Sequence, residues 1–121
     1  MKPTNYSDLH VWKEAKKLGV LIYYHTSEFP KQEQFGLTQQ IRRAAVSIFS
    51  NVPESCGREH LRDTLQFLYI ARGSMYEVEA QMHLAHELGY FSDEHLKLIS
   101  EQLLRFKKIL FGFISYYRKK L

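Results

Sequence analysis

Two adjacent guanidinium groups, Arg42 and Arg43, stand in the stretch QIRRAAVSIFSNVPESCGR that runs from Gln40 to Arg58. A guanidinium is a planar fork of donors that matches the oxygens of a phosphate, so the pair is a candidate grip on a nucleic-acid backbone. Successive helix residues diverge by about 100°, and at most one of the two can face a given partner. The structural alternative pairs one arginine with Glu77 or Glu79 of the following helix and leaves the other on the surface or at a subunit contact. Further along, Ser47, Asn51, Glu54 and Arg58 follow at steps of four, three and four, which a continuous helix stacks in one row with ends able to form local ion pairs. Ser74, Glu77 and Gln81 make a second polar row able to face it. The pair of rows reads either as a ligand cleft or as a polar seam at an oligomer interface. Polar residues inside bundles more often fix register and partner choice than catalyse, so no catalytic residue is assigned.

Glu79, His83 and His86 fall at i, i+4 and i+7 and can share a helix face, as metal ligands in a bundle do. The Glu-x-x-His pair of di-iron bundles is absent, because Ala80 and Met82 occupy the positions three residues after Glu77 and Glu79. No second ligand set stands on another helix, so a solvated histidine face is expected, with neither metal nor cofactor. Tyr69, Tyr76, His83 and Tyr90 recur every seven residues; such a row is a stacking platform for bases or, more commonly, packing and interface. The lone Cys56 has no internal disulfide partner. No phosphate-cradling glycine loop, nucleophile elbow or zinc-finger spacing is present.

Charge is uneven along the chain. Residues 1–72 hold ten Lys/Arg against seven Asp/Glu, net +3; residues 73–96 hold none against five, net −5; residues 97–121 hold seven against one, net +6. The basic end gathers Lys107, Lys108, Arg118, Lys119 and Lys120. It serves either as a phosphate-binding surface or as a complement to helix dipoles and the acidic third helix.

The elements that must position these residues are four helices, expected at about 8–27, 37–56, 59–88 and 93–119. Val11, Ala15, Leu18 and Ile22 form the inner stripe of the first, which Ser7 or Asp8 can cap. Gly19 costs on the order of 1 kcal/mol in mid-helix, and close approach of another helix backbone is the expected compensation. In the second helix Ile41, Ala45, Ile48 and Val52 recur at helical steps. Pro53 cannot donate to the carbonyl of Phe49, so a kink or an early end near Val52 is expected. The third buries Leu61, Leu68, Ala71, Met75, Val78, Met82 and Ala85 and stops at Gly89. Ser92 with Asp93 and Glu94 starts the fourth, where Leu96, Ile99, Leu103, Phe106, Leu110, Phe113 and Tyr117 alternate by threes and fours. Leu98, Leu104, Ile109, Phe111 and Ile114 lie outside that row, and a helix apolar over so much of its circumference is usually buried on two sides. The excess predicts subunit contact.

Four blocks, YSDLHVWKEA from Tyr6, the Gln40 to Arg58 stretch, FLYIARGSMYEVEAQ from Phe67 and AHELGY from Ala85, together resemble the 23S rRNA intervening-sequence proteins, small bacterial four-helix proteins. The resemblance covers roughly Tyr6 to Tyr117. It departs from the family pattern N-I-A-E-G at Asn51-Val52-Pro53-Glu54-Ser55. It implies a bundle assembled as a ring of five, distantly similar to the nucleic-acid-binding accessory proteins of diversity-generating retroelements.

The 121 residues fit one domain, read as an all-α, antiparallel up-down-up-down four-helix bundle. The apolar runs are far shorter than the roughly 20 residues of a transmembrane helix, and the opening MKPTNYSDLH has no signal-like apolar region, so a cytoplasmic protein without membrane contact is expected. The functional expectation is a non-enzymatic homo-oligomeric scaffold or adaptor binding RNA or DNA through Arg42, Arg43, Arg58, Lys107, Lys108, Arg118, Lys119 and Lys120, with Ser47, Asn51, Glu54 and Glu77 as a polar interface row. The rival is a protein-interaction ring with no nucleic-acid role; a small-ligand bundle around Glu54, Glu77 and the histidines ranks below both.

Overall fold

The computed structural model describes residues 9–121. Its helices are α1 (His10–Thr26), α2 (Leu37–Cys56), α3 (Leu61–Glu87) and α4 (Asp93–Arg118), with a short 3₁₀ turn at Lys31–Glu33 between the first two. Ser7 and Asp8, the expected caps of α1, lie outside the described residues; within them α1 follows an extended Leu9. No strand occurs among the described residues. Each helix packs on two others, α1 on α2 and α4, α3 on α2 and α4. The end of α1 meets the first turns of both its neighbours: Thr26 bonds Arg42 near the start of α2, and the His25 ring lies 4.7 Å from that of His95 near the start of α4.

The inner stripes are the ones the periodicity marks. Leu18, Ile22, Ile41, Ile48, Val52, Leu68, Met75, Val78, Met82, Ile99, Phe106 and Leu110 are all buried in a single core. Burying such a side chain contributes roughly 1.5–3 kcal/mol each, which outweighs local propensity. Leu61, Leu96 and Phe113 sit at its margin instead. Ile114, assigned to the outside of α4, is 3% exposed and belongs to the core. Leu98, Leu104 and Phe111 do stand exposed.

Two local expectations are corrected. Helix α2 does not end near Val52; it stays helical through Pro53 to Cys56. Val52 and Ser55 on either side of the proline are both fully buried, the Ser55 hydroxyl donates to the Val52 carbonyl at 2.6 Å, and Gly57 N–H closes on the Glu54 carbonyl. Packing and these bonds hold the last turn despite the missing donor. Gly19, in turn, has no helix backbone against it among the described residues: a Cβ there would meet none of their atoms within 4 Å.

The ends of the helices follow side-chain chemistry. Helix α3 begins at Leu61, two residues later than expected, after an extended His60. It closes at Gly89, whose φ of 81° is open to glycine at no steric cost. There Tyr90 N–H bonds the Ala85 carbonyl and Gly89 N–H the His86 carbonyl, the paired pattern of a Schellman end. At α4 the Ser92 hydroxyl accepts from His95 N–H while the His95 Nδ1 accepts from Ser92 N–H, and Asp93 and Glu94 complement the dipole.

Candidate nucleic-acid interface

The candidate residues divide among three places. Arg42 is engaged within the bundle: its Nε donates to the Thr26 hydroxyl at 2.8 Å, its Nη2 to the Tyr23 carbonyl at 3.2 Å, and its guanidinium lies over the Tyr23 ring. The Thr26 hydroxyl in turn donates to the Ile22 carbonyl. A cation placed on the last carbonyls of α1 satisfies orphan acceptors and the helix dipole together. Arg42 thus pairs with neither Glu77 nor Glu79, and Arg43 beside it is exposed.

The polar row of α2 forms a seam satisfied largely within itself. The Ser47 and Ser74 hydroxyls meet at 2.8 Å across α2 and α3, and the Asn51 side-chain amide donates to the Ser47 carbonyl at 2.7 Å and to its hydroxyl at 3.1 Å. Arg58 pairs with Glu54 one turn back and lies 4.5 Å from the Phe67 ring centre. Glu77 is exposed and outside this seam, so the facing rows meet at Ser47 and Ser74. This arrangement fixes the register of α2 on α3.

The third place lies between α3 and α4. Arg72, Phe111, Ile114, Ser115, Arg118 and Lys119 line a groove of about 360 Å³. Lys107, one turn along α4, reaches over both Tyr76 and Phe111, at 5.3 and 5.9 Å, and Arg72 lies over Tyr69 at 4.7 Å. Arg72, Lys107, Arg118 and Lys119 form no ion pair with a carboxylate among the described residues. Lys107, Arg118 and Lys119 belong to the basic end read from sequence; Lys108 and Lys120 are exposed beyond the groove, Lys120 over Tyr116. Arg72 escaped the sequence reading, although its i, i+4 spacing to Tyr76 on a helix that must face α4 was the available signal.

Elsewhere polar side chains pair within the fold. His86 Nε2 meets the Asp93 carboxylate at 2.6 Å, and among the described residues no cluster of three or more His, Cys, Asp or Glu can hold a metal. The Tyr90 hydroxyl donates to Glu33 at 2.9 Å, which pushes its ionisation upward, while the other Glu33 oxygen accepts Leu37 N–H at the start of α2. Glu14 is buried among Lys17, Gln102 and Arg105. The hydrogen bond from Lys17 is the first of the contacts that lower its pKa. No described helix is long and apolar enough to cross a membrane.

Fold and site together define a small four-helix bundle with a cationic, aromatic-lined groove along one helix pair. The chain belongs to the 23S rRNA-intervening sequence protein family, whose model matches residues 7–112. Six chains of solved structures match it. One is a protein of unknown function from the S23 ribosomal protein family of Bacteroides thetaiotaomicron VPI-5482, at 23% identity over 87% of this chain and 95% of that chain, with a TM-score of 0.78. That likeness is one of fold. A search of curated proteins finds no match.

Proposed function

We propose that the protein is a non-enzymatic, homo-oligomeric helical scaffold that binds nucleic acid, RNA foremost, along the α3/α4 groove. The carrying observation is the convergence of Arg72, Lys107, Arg118 and Lys119 around Phe111 and Ser115 without carboxylate partners among the described residues. Guanidinium and ammonium groups take phosphate oxygens, and exposed Tyr76 and Phe111 offer faces on which bases stack. The name of the family, built on 23S rRNA insertions, makes RNA the first ligand to try. A cytoplasmic setting and a ring of five subunits, the latter implied by the family resemblance, complete the reading.

Relative to the sequence expectation, the binding role moves away from Arg42 and Arg58, which are engaged within the chain. Their engagement is also the observation that favours the rival, an interaction ring with no nucleic-acid role. Fluorescence anisotropy with labelled single-stranded RNA separates the two. On the binding reading, affinity falls steeply as salt rises, and replacing Arg72, Arg118 and Lys119 by alanine lowers the log–log salt slope by about two to three. Absence of RNA retention at low salt would leave the rival standing.

A further inference from the structure

A second groove, of about 530 Å³ and almost wholly apolar, runs along the outside of α1 and α2, with Gly19 and Val20 on one side and Val46 and Phe49 on the other. Val20 is 65% and Val46 45% exposed. Lys16 lines the groove, and exposed Arg43 stands one turn before Val46 on α2. Gly19 opens the space above this groove, and no described residue of its own chain uses that space, although mid-helix glycine costs about 1 kcal/mol.

The outward strip of α3 has the matching character. Ile70, Gly73, Glu77, Ala80, Leu84 and Leu88 follow at helical steps and all are exposed. A Cβ on Gly73 would also meet nothing within 4 Å. The strip is apolar and narrow at Gly73 and Ala80, and Glu77 lies between them in a region, residues 73–96, with five carboxylates and no lysine or arginine. The outward strip of α4 does not compete. It carries Lys97, Glu101, Leu104, Lys108 and Ser115, and although Leu104 is exposed and Gly112 open too, its lysines would oppose Lys16 and Arg43.

From this complementarity we infer that the α1/α2 groove takes the outward strip of α3 from a second copy of the chain, with Glu77 between Lys16 and Arg43. The inference rests on the self-assembly in the proposed function and names the surfaces that carry it. The two patches are different parts of one molecule, so the contact is head-to-tail and builds closed rings or open filaments rather than an isologous dimer. It leaves the α3/α4 groove uncovered, because Arg72 and Tyr76 lie on the flank of α3 that faces α4.

The test is mass by light scattering across a concentration series, with circular dichroism to verify folding. Lys16→Glu with Arg43→Glu, and separately Glu77→Lys, should each raise the concentration for half-assembly at least about tenfold, as like charges brought together at an interface do. Combining all three should restore assembly. Val46→Asp and Ala80→Glu proteins, each a single chain alone, should form a two-chain species on mixing, since one intact groove still meets one intact strip. A native protein that assembles while the charge reversals leave its mass unchanged overturns this inference and spares the proposed scaffold. A native protein of single-chain mass overturns both.

Discussion

Arg42 illustrates how a residue that reads as a ligand can be a structural part. Its two bonds to Thr26 and Tyr23 close the end of α1, so Arg42→Ala should lower stability by about 1–3 kcal/mol in urea unfolding while changing RNA affinity less than twofold. Loss of RNA binding with unchanged stability would reverse that assignment. His25 offers a second check. Burial, and then the neighbouring His95, hold its pKa below the usual 6.5. A depressed folded value means that the stability linked to this group is present above about pH 6.5 and is lost as pH falls through the folded value. NMR titration should place the His25 ring below the free-imidazole range, and thermal midpoints should drop as pH falls from about 6.5 through the folded value. Replacing His25 by phenylalanine should flatten the drop; a drop that persists undiminished would assign it to other groups.

At the scale of the element, the helices were legible because burial acts through period. The stripes of α1 to α4 repeat every three or four residues, and the core follows them. What sequence hid depends on contacts between distant residues. Glu14, for instance, is buried against a glutamine and an arginine of α4 that are 88 and 91 positions away. The apolar excess of α4 reads as an outer surface; Ile114 goes into the core and Ile109 packs on it, while Leu98, Leu104 and Phe111 remain exposed. Pro53 shows the opposite limit, a breaker overruled by packing. Pro53→Ala restores the donor to the Phe49 carbonyl and should stabilise by about 1–3 kcal/mol, read as a higher urea midpoint. A lower midpoint would mean that the ring organises the last turn. Ser92→Ala, which removes the cap of α4, should cost about 1 kcal/mol in the same assay.

For the whole molecule, the uneven charge along the chain becomes an uneven surface. The basic end was legible as a run of residues, but its convergence with Arg72 on one groove was not, because that depends on which flank of α3 meets α4. The basic candidates of the sequence reading end in different roles: Arg42 closes a helix, Arg43 is exposed, Arg58 pairs with Glu54, and the α4 cluster forms no ion pair among the described residues. The proposed self-association would place several such grooves on one particle and multiply the effective concentration of sites for a long polyanion. The measurement that bears most directly on this account is the anisotropy of one labelled RNA titrated at rising salt with native protein, the Arg72→Ala, Arg118→Ala, Lys119→Ala triple variant and Arg42→Ala side by side. The account expects tight, salt-sensitive binding by the native and Arg42→Ala proteins and a shallower slope with at least about tenfold weaker affinity for the triple variant; equal binding by the triple variant and the native protein, or none by either, would contradict it.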